Sequence, residues 1–251
     1  MTLPRETSSG RLANLLLAPP SLDRHHIGHH MHAIIFDFDG LIIDTESAIY
    51  TAWQELYRRH GHDLPQAVYV QCVGSTFGHY DPMAALESHI GRAVDWAAEL
   101  PVKDARIREL QSDLDTLPGI RELLTEANRA GLPCAIASSS QRSHIDSWLQ
   151  RTGIGRHFQA ILTRDDVPRA KPFPDLFLAA AKALDIVPAS AIVLEDSHNG
   201  LRAALAAGTP CVIVPSPVTM GSDFTGATGQ LSTLAGVDLA ALASLHARQG
   251  A

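Results

Sequence analysis

The sequence predicts an open, doubly wound α/β sheet, Rossmann-like in its winding, interrupted once by a helical insertion. Three observations predict it. Short, continuously apolar runs recur, and most end in acid or hydroxyl groups, as strands buried on both faces of a parallel sheet do. Segments of helical period separate them, three closing on a glycine. One interval, from about residue 46 to 115, carries helical patterns and no convincing strand. Alternation of strand and helix implies right-handed crossovers, and the exception reads as an inserted helical domain.

Taken in order, residues 1–30 stand apart, rich in Ser, Thr, Pro and Arg, with one apolar patch from Leu12 to Ala18 and then His25, His26, His29 and His30. This arm is expected to be disordered or loosely docked. Its histidines lack carboxylate or cysteine companions for a dedicated metal site. Met31, directly before the first strand, reads as the true start. The run from His32 to Phe38 is the first strand, ending at an acidic loop. The insertion, residues 47–114, opens on a helix with Ile49, Ala52, Trp53, Leu56 and Tyr57 on one face and Gly61 beyond its end. A second helix begins near Pro65, and a third runs from a capping Asp81 to Gly91. A fourth runs from Asp95 to about Leu114 and should kink or divide at Pro101. Four more strands are expected at 133–138, 159–163, 191–196 and 210–215, so the α/β core comprises residues 31–46 and 115–251.

The composition bounds the function classes. With 251 residues, 45% apolar and 19% charged, the chain reads as a soluble globular protein. No apolar run approaches the roughly 20 residues of a bilayer span. A formal charge of -7 without a basic cluster argues against nucleic acid or a membrane as the main partner. Cys72, Cys134 and Cys211 show no CxxC spacing and read as reduced core residues, which suits the cytoplasm.

In open α/β sheets the ligand sits beyond the carboxyl ends of the strands. There the first strand brings Asp37-Phe38-Asp39-Gly40, the second Ser138-Ser139-Ser140, and the one near 192 Glu195-Asp196-Ser197, while Lys171 arrives on a loop before a helix. Carboxylates that close repel unless a cation joins them, and an all-oxygen set selects a hard ion such as Mg2+. Phosphate is then the expected second ligand. Ser140 and Ser197 read as helix caps or turn residues, and Asp44 and Thr45 as residues fixing the loop into the insertion.

This constellation resembles the haloacid dehalogenase superfamily of phosphotransferases over residues 32 to 245. Asp37-Phe38-Asp39-Gly40-Leu41-Ile42-Ile43-Asp44-Thr45 is similar to that family's first motif, Ser138 to its second, Lys171 in Ala-Lys-Pro to its third, and Glu195-Asp196 to its fourth. The insertion resembles the cap of the subgroup containing β-phosphoglucomutases and sugar-phosphate phosphatases. The resemblance implies that Asp37 attacks phosphorus and Asp39 serves as acid and base. It implies that Asp37, the Asp39 carbonyl and Asp196 hold Mg2+, with Glu195 a direct or water-bridged contributor. Lys171, the Ser138 hydroxyl and the amides near Phe38 and Ser139 would then stabilise the phosphoryl oxygens.

The glycine-rich loop Val73-Gly74-Ser75-Thr76-Phe77-Gly78-His79 links two helices of the insertion and is the candidate specificity loop, through Gly74, Ser75, Thr76 and His79. The mutase subgroup uses a cap histidine near the start of its first cap helix. Here the position twelve residues after Asp37 is Ile49, and no histidine occurs between Asp39 and His60. The expectation is a phosphatase acting on a small phosphorylated metabolite, a sugar or polyol phosphate, as a monomer or small homo-oligomer. A β-phosphoglucomutase-like isomerase and a regulatory or binding module on the same fold are the alternatives.

Overall fold

The computed structural model describes residues 31–74 and 80–248. The arm 1–30 lies outside the described residues, and so do Ser75, Thr76 and His79. The described residues form a six-stranded sheet of β1 (Ala33–Phe36), β2 (Cys134–Ala137), β3 (Ala160–Leu162), β4 (Ala191–Glu195), β5 (Cys211–Ile213) and β6 (Gly229–Gln230). Its order is β3-β2-β1-β4-β5-β6, with every pairing parallel. The chain winds outward from β1 to one edge, then returns to β4 on the other side of β1. The crevice at this reversal lies at the carboxyl ends of β1 and β4.

Helices α1 (Thr45–Arg59), α2 (Gln66–Tyr69), α3 (Pro82–Ile90) and α4 (Trp96–Leu110) follow β1, and α5 (Ile120–Arg129) returns the chain to the sheet. Then α6 (Arg142–Thr152), α7 (Asp175–Ala183), α8 (His198–Ala206) and α9 (Leu239–Ala247) complete the layers.

The two-residue period of a strand sorts the core into two halves. Ile34, Phe36, Cys134, Ile136, Ile192, Leu194 and Val212 face one cluster, which α5, α6 and α9 cover. Ala33, Ile35, Ala135, Ala137, Val193, Cys211 and Ile213 face the other, under α7 and α8. Small alanines dominate the second face and let its helices sit close. A third cluster belongs to the helices between β1 and α5: Tyr50, Trp53, Leu56, Tyr57, Leu64, Tyr69, Cys72 and Leu86. Val218, from the loop after β5, also packs into this third cluster.

Local chemistry explains these helices. Asp44 caps α1 by accepting from the Ser47 amide (3.1 Å), and Asp81 caps α3, whose far end is Gly91 at φ 69°. Pro101 does not divide α4, which runs unbroken from Trp96 to Leu110. It sits in the second turn, where it removes one backbone donor. Contacts with α1 support the helix beyond it: Lys103 lies 4.8 Å from the Trp53 ring centre, and Arg106 makes paired bonds to Glu55. Two elements were not expected, the short edge strand β6 and the C-terminal helix α9. Among the described residues no helix is long and apolar enough to cross a membrane.

Candidate active site

Asp37 follows β1 directly, and its amide donates to the Leu194 carbonyl of β4 (2.9 Å), which fixes the loop at the crevice. A tight turn follows, with Ile42 N donating to Phe38 O (2.9 Å) and Gly40 N to Ile43 O (2.7 Å). Gly40 takes φ 86°, and a Cβ there would lie 2.2 Å from Asp196 Oδ2. Gly40→Ala should therefore lower stability by about 1–2 kcal/mol through its left-handed backbone alone. It should also displace Asp196, so turnover should fall further than the melting temperature suggests when both are measured.

Lys171, on the loop before α7, is fully buried beneath the crevice. Its Nζ donates to Asp37 Oδ1 and to Glu195 Oε1 (2.6 Å), 5.0 Å from the Phe177 ring centre. Glu195 Oε2 accepts from the Asp196 amide (2.9 Å), the Ser197 amide (2.8 Å) and the Ser197 hydroxyl (2.9 Å). Both Glu195 oxygens are thus engaged. Ser197 is the α8 N-cap, as expected, and accepts from Gly200 N (3.0 Å). A Cβ on Gly200 would lie 1.7 Å from Glu195 Oε1, so this helix turn can approach the carboxylate only because it carries glycine.

Asp196 differs from Glu195. Both its oxygens are buried and neither receives a hydrogen bond of ordinary geometry, the side chain of Ser216 alone offering it partial support. Asp37, Glu195 and Asp196 offer oxygens that all lie within 4.8 Å of one another. Burial, together with the charge of Glu195, pushes the Asp37 carboxyl up to about 8 in spite of Lys171. Burial, then Glu195 and Asp37, push Asp196 well above the carboxylate range. Three acids share one ammonium here, and an unpartnered buried carboxylate is costly unless a cation meets it. This donor set is all oxygen and fits a hard divalent ion.

Asp39 points to different partners. Its Oδ1 accepts from Thr45 Oγ1 (2.6 Å) and pairs with His144 Nε2 (2.8 Å), and its Oδ2 accepts from Ser140 Oγ (2.6 Å). Burial alone would raise its pKa, but the bond and charge of His144 and the two hydroxyls hold it below the usual range. Ser140 is therefore more than a turn residue. Its hydroxyl joins Asp39, while its amide donates to Ser138 Oγ (3.0 Å). Ser138 is buried at the end of β2, and Ser139 Oγ donates to the Gly74 carbonyl (3.0 Å). Gly74 takes φ 74°, and a Cβ there would lie 2.2 Å from Ser197 Oγ, so the loop rests directly on the sheet edge.

Two residues at the site escaped the sequence reading. His144 lies in the first turn of α6 and reaches Asp39 across 105 residues of chain. Glu46, in the first turn of α1, is surrounded by acids: burial, then Asp39, Asp37 and Asp44, push its carboxyl up to about 8.

The sequence family described as Haloacid dehalogenase-like hydrolase matches residues 34–214, spanning this whole constellation. The chain belongs to that family. Among relatives of this haloacid dehalogenase-like hydrolase, the Putative phosphatase YhcW of Bacillus subtilis is 38% identical over 210 residues, covering 84% of this chain and 95% of that one. Validoxylamine A 7'-phosphate phosphatase of Streptomyces hygroscopicus is 32% identical over 182 residues, covering 71% of this chain and 83% of its own. The crystal structure of CbbY from Rhodobacter sphaeroides in complex with phosphate superposes with a TM-score of 0.68 at 30% identity, covering 84% and 99% of the two chains. With phosphatases as its relatives, this hydrolase is an enzyme of phosphoric monoesters.

Proposed function

We propose that this hydrolase is a Mg2+-dependent phosphatase that releases phosphate from a small phosphorylated metabolite through an aspartyl-phosphate on Asp37. The observation that carries the reading is the pairing of Asp37 on Lys171 beside Asp196, whose two buried oxygens receive no hydrogen bond of ordinary geometry and no cationic side chain among the described residues. Asp37, Asp196 and the Asp39 carbonyl would hold the ion. When bound, Mg2+ supplies positive charge that screens the nucleophile from its anionic substrate. Glu195 orders Lys171 and the α8 N-terminus around them.

In the first step an Asp37 oxygen bonds to phosphorus as the bond to the leaving oxygen breaks, and Asp39, a carboxylate at rest that takes up a proton as the anionic substrate binds beside it, gives that oxygen its proton. In the second, water attacks phosphorus, Asp39 takes the water proton, and the bond to Asp37 breaks. Lys171 holds Asp37 in line and offsets the charge on the phosphoryl group throughout. The helices α1 to α4 act as a cap that excludes water from the first step. A sugar or polyol phosphate is the substrate class suggested by relatives such as validoxylamine A 7'-phosphate phosphatase. The three cysteines, buried in the three apolar clusters, suit a cytoplasmic setting. Ile49 at the position of the mutase histidine favours hydrolysis over isomerisation.

A panel of phosphorylated metabolites with Mg2+, read by free phosphate, tests the reading. Release from at least one sugar or polyol phosphate, abolished by EDTA, is expected. Isomerised sugar phosphate without release would overturn it.

The raised carboxyls set the pH dependence of the metal-free protein. Between the ordinary value of 3.8 and a folded value of about 8, Asp37 binds more proton folded than unfolded. Stability therefore falls as pH rises through that window, by up to about 1.4 kcal/mol per pH unit for each such group. Thermal melts in EDTA should decline from pH 5.5 to 8. Mg2+ should raise the melting temperature more at pH 8 than at pH 6, because protons no longer compete for the ligands.

A further inference from the structure

The residues around Asp39 carry an inference that rests on the acid/base reading and goes beyond it. We propose that His144 is a positioning residue for Asp39. Its Nε2 lies 2.8 Å from Asp39 Oδ1, and its ring stands edge-on to Phe38 (6.3 Å, 80°) and to Trp148 one turn further along α6 (6.5 Å, 74°). Packing between two aromatic rings limits the imidazole to a narrow range of orientations, so the hydrogen bond is aimed and not incidental. Thr45 and Ser140 complete the grip from two other elements, the start of α1 and the loop after β2.

All three partners share one chemical property. A hydroxyl and an imidazole can each donate or accept, depending on rotamer or tautomer. Lysine or arginine in the place of His144 could only donate, and would release or oppose Asp39 whenever it carried its proton. The three partners here can hold the carboxyl in one place both as carboxylate and as acid. Asp39 alternates between those forms in each cycle, giving a proton to the leaving oxygen and recovering one from water, and His144, unlike lysine or arginine, can lose its own proton readily enough to accept from the acid form. The position in the fold adds a consequence. His144 and Ser140 belong to the sheet and its covering helix, so their hold on Asp39 persists when the cap opens. The base would then remain aligned for water in the second step, which commits the aspartyl-phosphate to hydrolysis.

p-Nitrophenyl phosphate separates this role from a structural one, because its leaving group departs without a proton while the second step still needs a base. In rapid-mixing experiments His144→Ala should keep the rate of the first p-nitrophenolate burst. Its steady-state kcat should fall roughly 10- to 100-fold, part of the effect of a full acid/base group, with KM changed by less than about twofold. His144→Gln, whose amide can occupy the place of Nε2 and both donate and accept, should recover most of the lost kcat. A wild-type kcat in His144→Ala would overturn the proposal. So would a burst and a steady state that fall together in both variants, since that marks disturbed packing. Asp39→Asn, run alongside, keeps the two readings apart. Normal turnover in that variant removes the acid/base role itself, whereas an inactive Asp39→Asn beside a fully active His144→Ala removes only the role of His144.

Discussion

Lys171→Met should destabilise the metal-free protein by about 3–5 kcal/mol at pH 7.5, the range for removing one partner of a buried ion pair. The side chain is fully buried, its ammonium bonds both Asp37 and Glu195, and methionine fills most of its volume while supplying no charge. Packing against Phe177 is largely retained, so the loss isolates the charge. What remains is a group of three buried acids without a cation. They can stay together only by taking up protons, so the loss should shrink at pH 5.5, where protonation offsets the repulsion. Urea denaturation in EDTA at the two pH values measures both quantities. A loss below about 1 kcal/mol at pH 7.5 would mean that water reaches the acids and that the site is less dry than its geometry implies. Added Mg2+ should reduce the deficit, because it supplies charge to the same carboxylates. Turnover should not return with it, since no other cation touches Asp37 from below among the described residues.

The sequence made the strand ends legible because a parallel sheet writes them plainly. An apolar run such as Ala33–Phe36 cannot continue into Asp37 and Asp39 without leaving the core, and the same holds where Leu194 gives way to Glu195 and Asp196. The cap of α3 was legible for a similar reason, as Asp81 stands where orphan amides need an acceptor, whereas Asp44 was read only as fixing the loop into the insertion and in fact caps α1. Other features were not. β6 is only Gly229 and Gln230, too short for any period. α9 is apolar on nearly every side, so no face stands out, although Asp238 caps it by accepting from Ala241 N (2.8 Å). His144 reads in sequence as an ordinary residue in a helical first turn, and only the crossover from β2 to α6 brings it over Phe38. Ser140 carried a weak signal. It lies two residues beyond Ser138 and follows the same strand end, yet a serine before a helix is more often a turn residue. Glu46 was hidden by the general preference for acids in a first helical turn, which here masks a carboxylate turned toward other acids.

Asp37→Asn should abolish phosphate release, with a fall on the order of 10³-fold or more, since the loss of a covalent nucleophile leaves only binding and electrostatics. An amide is a poor nucleophile toward phosphorus and carries no charge. The same change removes one of the negative charges that set Asp196 and Glu46 high, because Asp37 contributes to both shifts. The variant should therefore be at least as stable as the parent in EDTA near pH 8, where Asp37 of the parent is substantially ionised, and the difference should narrow toward pH 5.5. Loss of activity together with a gain in stability is a pairing that a structural residue would not give, since removal of a structural hydrogen bond lowers both. Free-phosphate release and a thermal melt on one preparation test it. In addition, wild-type enzyme quenched in acid during turnover should carry one acid-stable phosphoryl group that Asp37→Asn lacks. Retained phosphate release in Asp37→Asn would remove this carboxylate from the role of nucleophile. Lost release with a labelled variant would move the covalent step to another carboxylate, for which Asp39 is the candidate within the same loop.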